Sequence, residues 1–134
     1  MWKARWGLIP GWWKKSAKET GSTFNARIEG ADSSPFFGSA WNKRRCIIPA
    51  SAFYEWTGDK GAKIPHRISA ADGGLLGFAG LWDRWIDTQT GEGVISCTII
   101  TRDADRWMAK LHNRMPAMVR HDDFQAWLDG SGGK

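Results

Sequence analysis

The 134-residue chain is poor in the groups that most often announce a function. Its 2 cysteines, Cys46 and Cys97, each sit in an apolar stretch, and a thiol so placed reads as a small buried hydrophobe. A disulfide is not expected in a reducing compartment. Neither cysteine has a second Cys or a His at metal-ligand spacing, and His66, His112 and His121 are scattered, so no metal and no cofactor are expected. No apolar run is long enough to cross a bilayer, and no N-terminal apolar stretch ends in a small-residue cleavage site. The expected location is the cytoplasm or nucleoid, with no membrane partner. There is no internal repeat. No glycine-rich loop opens a helix, because Gly73-Gly74 precedes a strand. No Ser-His-Asp arrangement can be read from spacing.

Charge and tryptophan are abundant instead. The net charge is +5, and it is uneven. Residues 1–67 hold 7 Lys and 5 Arg against 5 acids, a net of +7, whereas residues 68–134 carry a net of −2. A basic half suits a polyanion, nucleic acid first and an anionic membrane surface second. Ten tryptophans are several times normal usage, and four of them, Trp2, Trp6, Trp12 and Trp13, fall in the first thirteen residues. Such rings are core or interface material. Beside basic residues, Trp12 and Trp13 also suit stacking on the bases of a single strand.

The middle of the chain reads as strands. Residues 45–49 are a short apolar run, and 53–56 follow. Residues 57–61 form a turn, and 64–68 resume an extended pattern in which Pro65 marks an edge or a bulge. Residues 75–82 are a long apolar run whose Gly77 and Gly80 suggest bulges or barrel corners. After a turn-rich loop at 87–93, residues 94–101 are rich in β-branched side chains. Asp103 caps an expected helix over 103–111, with apolar residues at Ala104, Trp107, Met108 and Leu111. A second helix is expected over 122–129, starting at Asp122 and stopped by Gly130. The pattern also admits a short helix near 33–41, with Pro35 in its first turn. Residues 14–23 read as an exposed loop. The expected fold is α+β: a curved, mainly antiparallel β-sheet or open barrel with a few peripheral helices, in one domain over 1–129, with a flexible tail at 130–134.

Several polar residues fall where the local pattern favours burial: Asn25 and Arg27, Glu55, and His112 with Arg114. Phe53, Tyr54 and Trp56 surround Glu55. If it faces inward it is a desolvated carboxylate suited to proton transfer. Strand alternation also allows it to face solvent, and the residues alone favour that reading. His112 follows the expected 103–111 helix, where it either acts in chemistry or caps carbonyls at the surface.

Six short words then occur in order. They are Trp6-Gly7-Leu8-Ile9-Pro10-Gly11-Trp12, Asn25-Ala26-Arg27-Ile28-Glu29, Arg45-Cys46-Ile47-Ile48-Pro49-Ala50 with Phe53-Tyr54-Glu55-Trp56, Phe78-Ala79-Gly80-Leu81-Trp82, Thr98-Ile99-Ile100-Thr101, and His112-Asn113-Arg114-Met115-Pro116. Together they resemble the SOS-response-associated peptidase (SRAP) family over nearly the whole chain. The resemblance implies a protein that binds abasic sites in single-stranded DNA. An N-terminal cysteine of the family attacks the ring-opened aldehyde, its α-amine forming a Schiff base and its thiol closing a thiazolidine. It further implies that Glu55 activates the amine or shuttles its proton, that His112 assists sugar ring opening, and that Asn25 holds the reacting end. Arg27 and Arg114 would grip flanking phosphates, and Trp56 would pack beside the gap left by the missing base. The family is also labelled a peptidase, because its members release their own N-terminal segment.

The sequence departs from this pattern at its ends. The family begins Met-Cys-Gly-Arg and has an opening strand before the Trp-Gly-Leu-Ile-Pro word, whereas this sequence begins Met1-Trp2-Lys3. Cys46 is internal and has no free α-amine. Gly30 stands where the family usually has threonine, and the sequence stops soon after Trp127-Leu128-Asp129, before the family's usual end. Three readings stay open: a misplaced or truncated start, a member that binds without reacting, or another amine, such as that of Met1, forming an uncyclised Schiff base. The expectation carried forward is loss of thiazolidine chemistry. A missing opening strand also predicts a free sheet edge, available for self-association or for another segment. Two other functions compete with the abasic-site reading: a non-catalytic single-stranded DNA-binding module and a partner-binding domain.

Overall fold

Two long strands organise the chain. In the computed structural model, which describes residues 1–130, β6 (Leu76–Ile86) and β7 (Gly93–Asp103) are antiparallel from Gly80↔Ile99 to Ile86↔Gly93. β3 (Arg45–Ala50) extends the sheet antiparallel on β6. Two short strands, β1 (Arg5–Trp6) and β2 (Asn25–Arg27), join β7 in parallel, so the sheet is mixed although mostly antiparallel. The sheet does not close into a barrel.

Beyond Gly80, β6 and β7 part, and the chain from 114 onward fills the fork. β8 (Arg114–Pro116) pairs antiparallel with Thr101–Asp103 of β7. The next residues turn to β6, with the Ala79 amide donating to the Ala117 carbonyl and the Val119 amide to that of Gly77. β4 (Phe53–Thr57) and β5 (Ile64–Ile68) form a separate hairpin, pinned by a 2.8 Å contact between Thr57 Oγ1 and His66 Nε2. Its turn needs glycine at 58. There φ is +98°, and a Cβ would lie 2.8 Å from the Ala62 carbonyl oxygen.

The sheet has one fully covered face. Ala79 and Leu81 of β6 and Ile100 of β7 pack there with Leu8, Ala26, Trp41 and Trp127. Ala31 of α1 (Ile28–Ala31) joins them; Trp41 comes from α2 (Gly38–Lys43) and Trp127 from α3 (Phe124–Asp129), their rings 5.5 Å apart at 77°. Arg45 lies over both rings, 4.3 and 4.5 Å from their centroids, an arrangement favoured by the negative faces of the indoles. A second, smaller cluster of Ile68, Met108 and Met115, with Phe53 and Leu111 against it, fastens the hairpin to the 104–116 segment.

The expected strands over 45–49, 53–56, 64–68, 75–82 and 94–101 are all present. Three elements differ. The helix expected over 103–111 is absent: β7 runs on to Asp103, and only a 3-10 turn, Met108–Lys110, follows. Asp103 gives its carboxylate to Arg114, and Asp105 takes the capping role by accepting the Met108 amide at 2.8 Å. The helix expected near 33–41 starts later, at Gly38, because Ser34 Oγ accepts the amides of Phe36 and Phe37 and holds a turn first. Gly77 and Gly80 carry no bulge. Register runs through both, and what they provide is space, a Cβ at Gly80 meeting Ile48 Cδ1 at 2.6 Å and Cys46 Sγ at 3.0 Å. The 14–23 loop contains a 3-10 turn, Ala17–Thr20, closed by a Ser16/Glu19 capping box, and its last residue, Thr23, is buried. Gly130 ends α3 in the left-handed conformation, as expected. Residues 131–134 of the expected tail lie outside the described residues.

Candidate functional site

The opposite face of the sheet is the open one. Strand alternation sends Ile48, Phe78, Cys97, Ile99 and Thr101 to that side, where they floor a cavity of about 690 Å³. The hairpin walls it through Phe53, Tyr54 and Glu55, and the segment from His112 to Pro116 closes the far side. Trp6 and Asn25 complete the rim. The same face continues into a second cavity of about 800 Å³, lined by Trp2, Cys46, Trp82 and Ile95. That one is larger and includes Arg45, but it lacks the Asn25, Glu55 and His112 side chains that line the first.

Asn25, Glu55 and His112 therefore converge on one cavity. Asn25 opens β2, whose central residue Ala26 is in the core, so alternation turns Asn25 and Arg27 outward. Arg27 lies two residues along the same strand face, outside the cavity, with its side chain 72% exposed and 3.9 Å from Glu29. In β4, Phe53, Glu55 and Thr57 face inward and are half-buried, while Tyr54 and Trp56 are exposed. Glu55 thus faces the cavity rather than bulk solvent. Trp56, 53% exposed, is on the outer face of the hairpin and does not line the cavity.

His112 is exposed. Its Nδ1 accepts the Arg114 amide at 3.0 Å and lies 3.2 Å from the Arg114 carbonyl oxygen. The Arg114 side chain is only 13% exposed. It binds both oxygens of Glu29 at 3.0 and 2.9 Å, Asp103 at 2.9 Å and Thr101 Oγ1 at 3.1 Å. The hydrogen bond from Arg114 holds the Glu29 carboxyl below the usual carboxylate range, and the same bond raises the pKa of Arg114.

Trp12 and Trp13 are elsewhere. They cluster with Phe36, ring centroids 5.7 to 6.4 Å apart, and Trp12 is 52% exposed. Their loop is tied to β6, where Asp83 accepts the Gly11 amide at 3.0 Å and Trp85 Nε1 donates to the Trp13 carbonyl at 2.7 Å. Asp83 is itself held by Arg44 at 3.4 Å.

Burial pushes the Cys46 thiol up to about 12 and raises that of Cys97 as well, so neither is a thiolate near neutral pH. Among the described residues no three His, Cys, Asp or Glu side chains are grouped to hold a metal ion, and no helix is long and apolar enough to cross a membrane. Two participants went unassigned in the sequence reading. Trp6, which packs on Phe24 at 5.0 Å and donates its indole N–H to the Phe24 carbonyl, stands in the sequence as a motif member and one of four early tryptophans, with no site role attached. The pairing of Glu29 with Arg114 spans 85 positions and leaves no local signal.

Fold and site define a mixed-sheet domain with an apolar-floored cavity rimmed by an amide, a carboxylate and an imidazole. A model of the SOS response associated peptidase (SRAP) family matches residues 1–134, and the chain belongs to that family. It is 42% identical over 128 residues to abasic site processing protein YoaM of Bacillus subtilis, which covers 95% of this chain and 56% of that protein. It is 33% identical to abasic site processing protein HMCES of Gallus gallus, covering 93% of this chain and 44% of that one. A solved structure from Bacteroides thetaiotaomicron superposes with a TM-score of 0.86 at 33% identity, over 94% of this chain and 57% of that one. One from Bordetella bronchiseptica gives 0.82 at 36%, over 93% and 64%. The chain spans a little over half the length of the Bacillus relative.

Proposed function

We propose that residues 1–134 recognise abasic sites in single-stranded DNA, with the cavity receiving the sugar that has lost its base. The observation that carries this is the convergence of Asn25, Glu55 and His112 on one open cavity. A baseless sugar opens to an aldehyde, and its capture needs proton transfers at the ring oxygen and at the carbonyl. Glu55 and His112, on facing walls, are the groups suited to those transfers, and the amide of Asn25 can orient the reacting carbon. The floor beneath the sugar is apolar. Arg27, exposed beside the cavity, meets a flanking phosphate, while Trp56, Trp12 and Trp13 offer stacking faces along the strand. Preference for a single strand follows from the same design, because an extruded sugar and bases stacked on side chains require unpaired DNA. Action on DNA would place the protein at the nucleoid.

The family's thiazolidine needs a cysteine with a free α-amine. Cys46 and Cys97 have peptide nitrogens and un-ionised thiols, so residues 1–134 bind without closing that ring. Cross-linking and autoproteolysis of the family type lack a nucleophile in either of these thiols. Self-association belongs to the same proposal: among the described residues β3 pairs only with β6, and although the Trp127 indole takes the Cys46 carbonyl on its other edge, the rest of that edge has no strand partner and could take a second copy. Sedimentation showing a monomer at every concentration would remove that part.

The exposed Trp12 and Trp56 also support a second reading, a non-catalytic module that binds single strands without regard to damage. Fluorescence anisotropy on matched single-stranded oligonucleotides, with and without one abasic site, separates the two. Tighter binding of the abasic strand by about tenfold or more, a gap of about 1.4 kcal/mol, supports the proposal. Equal, salt-dependent affinities support the second reading, and no binding at low salt overturns both. A heat-stable adduct formed without borohydride would contradict the non-covalent part.

A further inference from the structure

We infer that Asp83 is a positioning residue for Trp12: paired with Arg44, it clamps the turn from Gly11 to Trp13 so that the Trp12 ring stands ready as a stacking face for a single strand.

Asp83 departs from the apolar row it belongs to. Alternate residues of β6 put Ala79, Leu81 and Trp85 on the covered face of the sheet, each at most 2% exposed. Asp83 stands between the last two, with its side chain 13% exposed. A carboxylate drawn out of water is unfavourable unless its oxygens are satisfied. Here Oδ2 accepts the Gly11 amide at 3.0 Å, Oδ1 accepts the Arg84 amide at 2.8 Å, and the Arg44 guanidinium lies 3.4 Å from each oxygen. Arg44 is braced in turn, donating to Ser39 Oγ at 2.7 Å and to the Trp82 carbonyl at 3.2 Å. Only the bond to Gly11 reaches out of this framework, across 72 positions of sequence.

The turn it reaches is gripped twice. Two residues along β6 from Asp83, Trp85 Nε1 donates to the Trp13 carbonyl at 2.7 Å, and the Trp13 amide closes the turn on the Pro10 carbonyl at 3.0 Å. Leu8, Ile9 and Pro10, just before it, are buried. Trp12 is thus the residue between two anchored neighbours, and its half-exposed ring leans at 55° to Trp13 and 79° to Phe36. The fit at Gly11 is close: a Cβ there would lie 3.0 Å from the Arg84 carbonyl oxygen and 3.2 Å from Asp83 Oδ1. A ring on a free loop loses conformational freedom when a base stacks on it, whereas a ring already fixed loses little and binds more tightly. Asn25, Glu55 and His112 take no part in the clamp. It therefore sets affinity for single strands, intact or abasic alike, and leaves the preference between them unaltered.

This inference rests on the reading of Trp12 as a stacking face in the proposed function. Fluorine NMR tests it on protein labelled with fluorotryptophan, the Trp12 and Trp13 signals being assigned by replacement with Phe. The parent is compared with Asp83→Asn, which keeps the shape and removes the charge. The expected spectrum has the Trp12 and Trp13 signals displaced and those of Trp56, Trp107 and Trp127 unmoved. Affinity for intact and abasic single strands should fall together, by about fivefold or more, the low end for one lost base stack. A pure charge effect would run the other way, because removing an anion strengthens attraction to DNA. Unmoved Trp12 and Trp13 signals overturn the inference, as does unchanged affinity or a loss confined to the abasic strand. Should Asp83→Asn not fold, Gly11→Ala decides, since it presses on the same contact from the loop side and disturbs no buried charge. Displaced signals with the same joint loss of affinity support the clamp, and parent-like behaviour refutes it. Trp12→Ala keeps the two failures apart. Parent-like affinity in that variant sinks the stacking part of the proposed function, whereas fixed fluorine signals in Asp83→Asn sink the clamp whatever Trp12 binds.

Discussion

The cluster beneath the sheet and the cluster beneath the hairpin are unequal partners. The first buries nine residues, among them two tryptophans packed edge to face, and is built from β6, β7 and the helices that cover them. The second buries only Ile68, Met108 and Met115, yet it sets the hairpin that carries Glu55 against the segment that carries His112. The framework and the geometry of the site are therefore held by different amounts of apolar contact. Substitutions should separate them, some unfolding the protein and others loosening the site inside an intact fold.

Trp127→Ala should show the largest effect. It empties space beside Trp41 and orphans the Cys46 carbonyl that the indole bonds at 2.9 Å. A loss of about 3–5 kcal/mol is expected, read from the urea midpoint at constant m. A loss below about 1 kcal/mol would break the comparison, since core truncations of this kind should exceed it. Met108→Ala removes a fully buried side chain from the smaller cluster and should cost about 2 kcal/mol, at the low end for such truncations. Its distinctive result is loss of preference for abasic DNA under conditions where the protein is still folded. Retained preference would show that the hairpin is placed by something else.

Trp56→Ala should leave stability unchanged, because the ring is on the outer face of the hairpin. It should weaken single-strand binding by about 1–3 kcal/mol if a base stacks there. The smallest effect concerns acid. Glu29 is held below its ordinary value of 4.5 by the hydrogen bond from Arg114, so its contribution is complete above that value and is lost as pH falls through the lower folded value. Glu29→Gln should flatten this acid limb of the stability profile, and only slightly, because the Glu29 carboxylate is about half exposed to solvent. An unchanged limb would show that the pair adds no pH-dependent stability.

The same contrast explains what could be read in advance. β3, β6 and β7 are runs of apolar and β-branched side chains, and their signal is local. β1, β2 and β8 are two or three residues long, and each exists only because β7 offers it an edge from far along the chain. Ala104, Trp107, Met108 and Leu111 have helical spacing, but the segment serves the small cluster. Met108 is buried against the hairpin while Trp107 remains 59% exposed, a split that no single helical face explains. Asn25, Glu55 and His112 were legible as unusual polar residues and as motif members. That Glu55 turns inward depends on which parity of β4 the hairpin packing selects. The engagement of Arg114 by Glu29 is a tertiary fact between residues far apart in the chain, and no local pattern announces it.

The central claim is that one cavity, rimmed by Asn25, Glu55 and His112, receives the damaged nucleotide. Amide chemical shifts mapped during titration with a short abasic single strand test it most directly. The account predicts that the largest changes fall on Asn25, Glu55, Ile99 and the residues from His112 to Pro116, while those around Trp41 and Trp127 stay still. Changes concentrated at Trp12, Trp13 and Phe36, with the cavity silent, would contradict it.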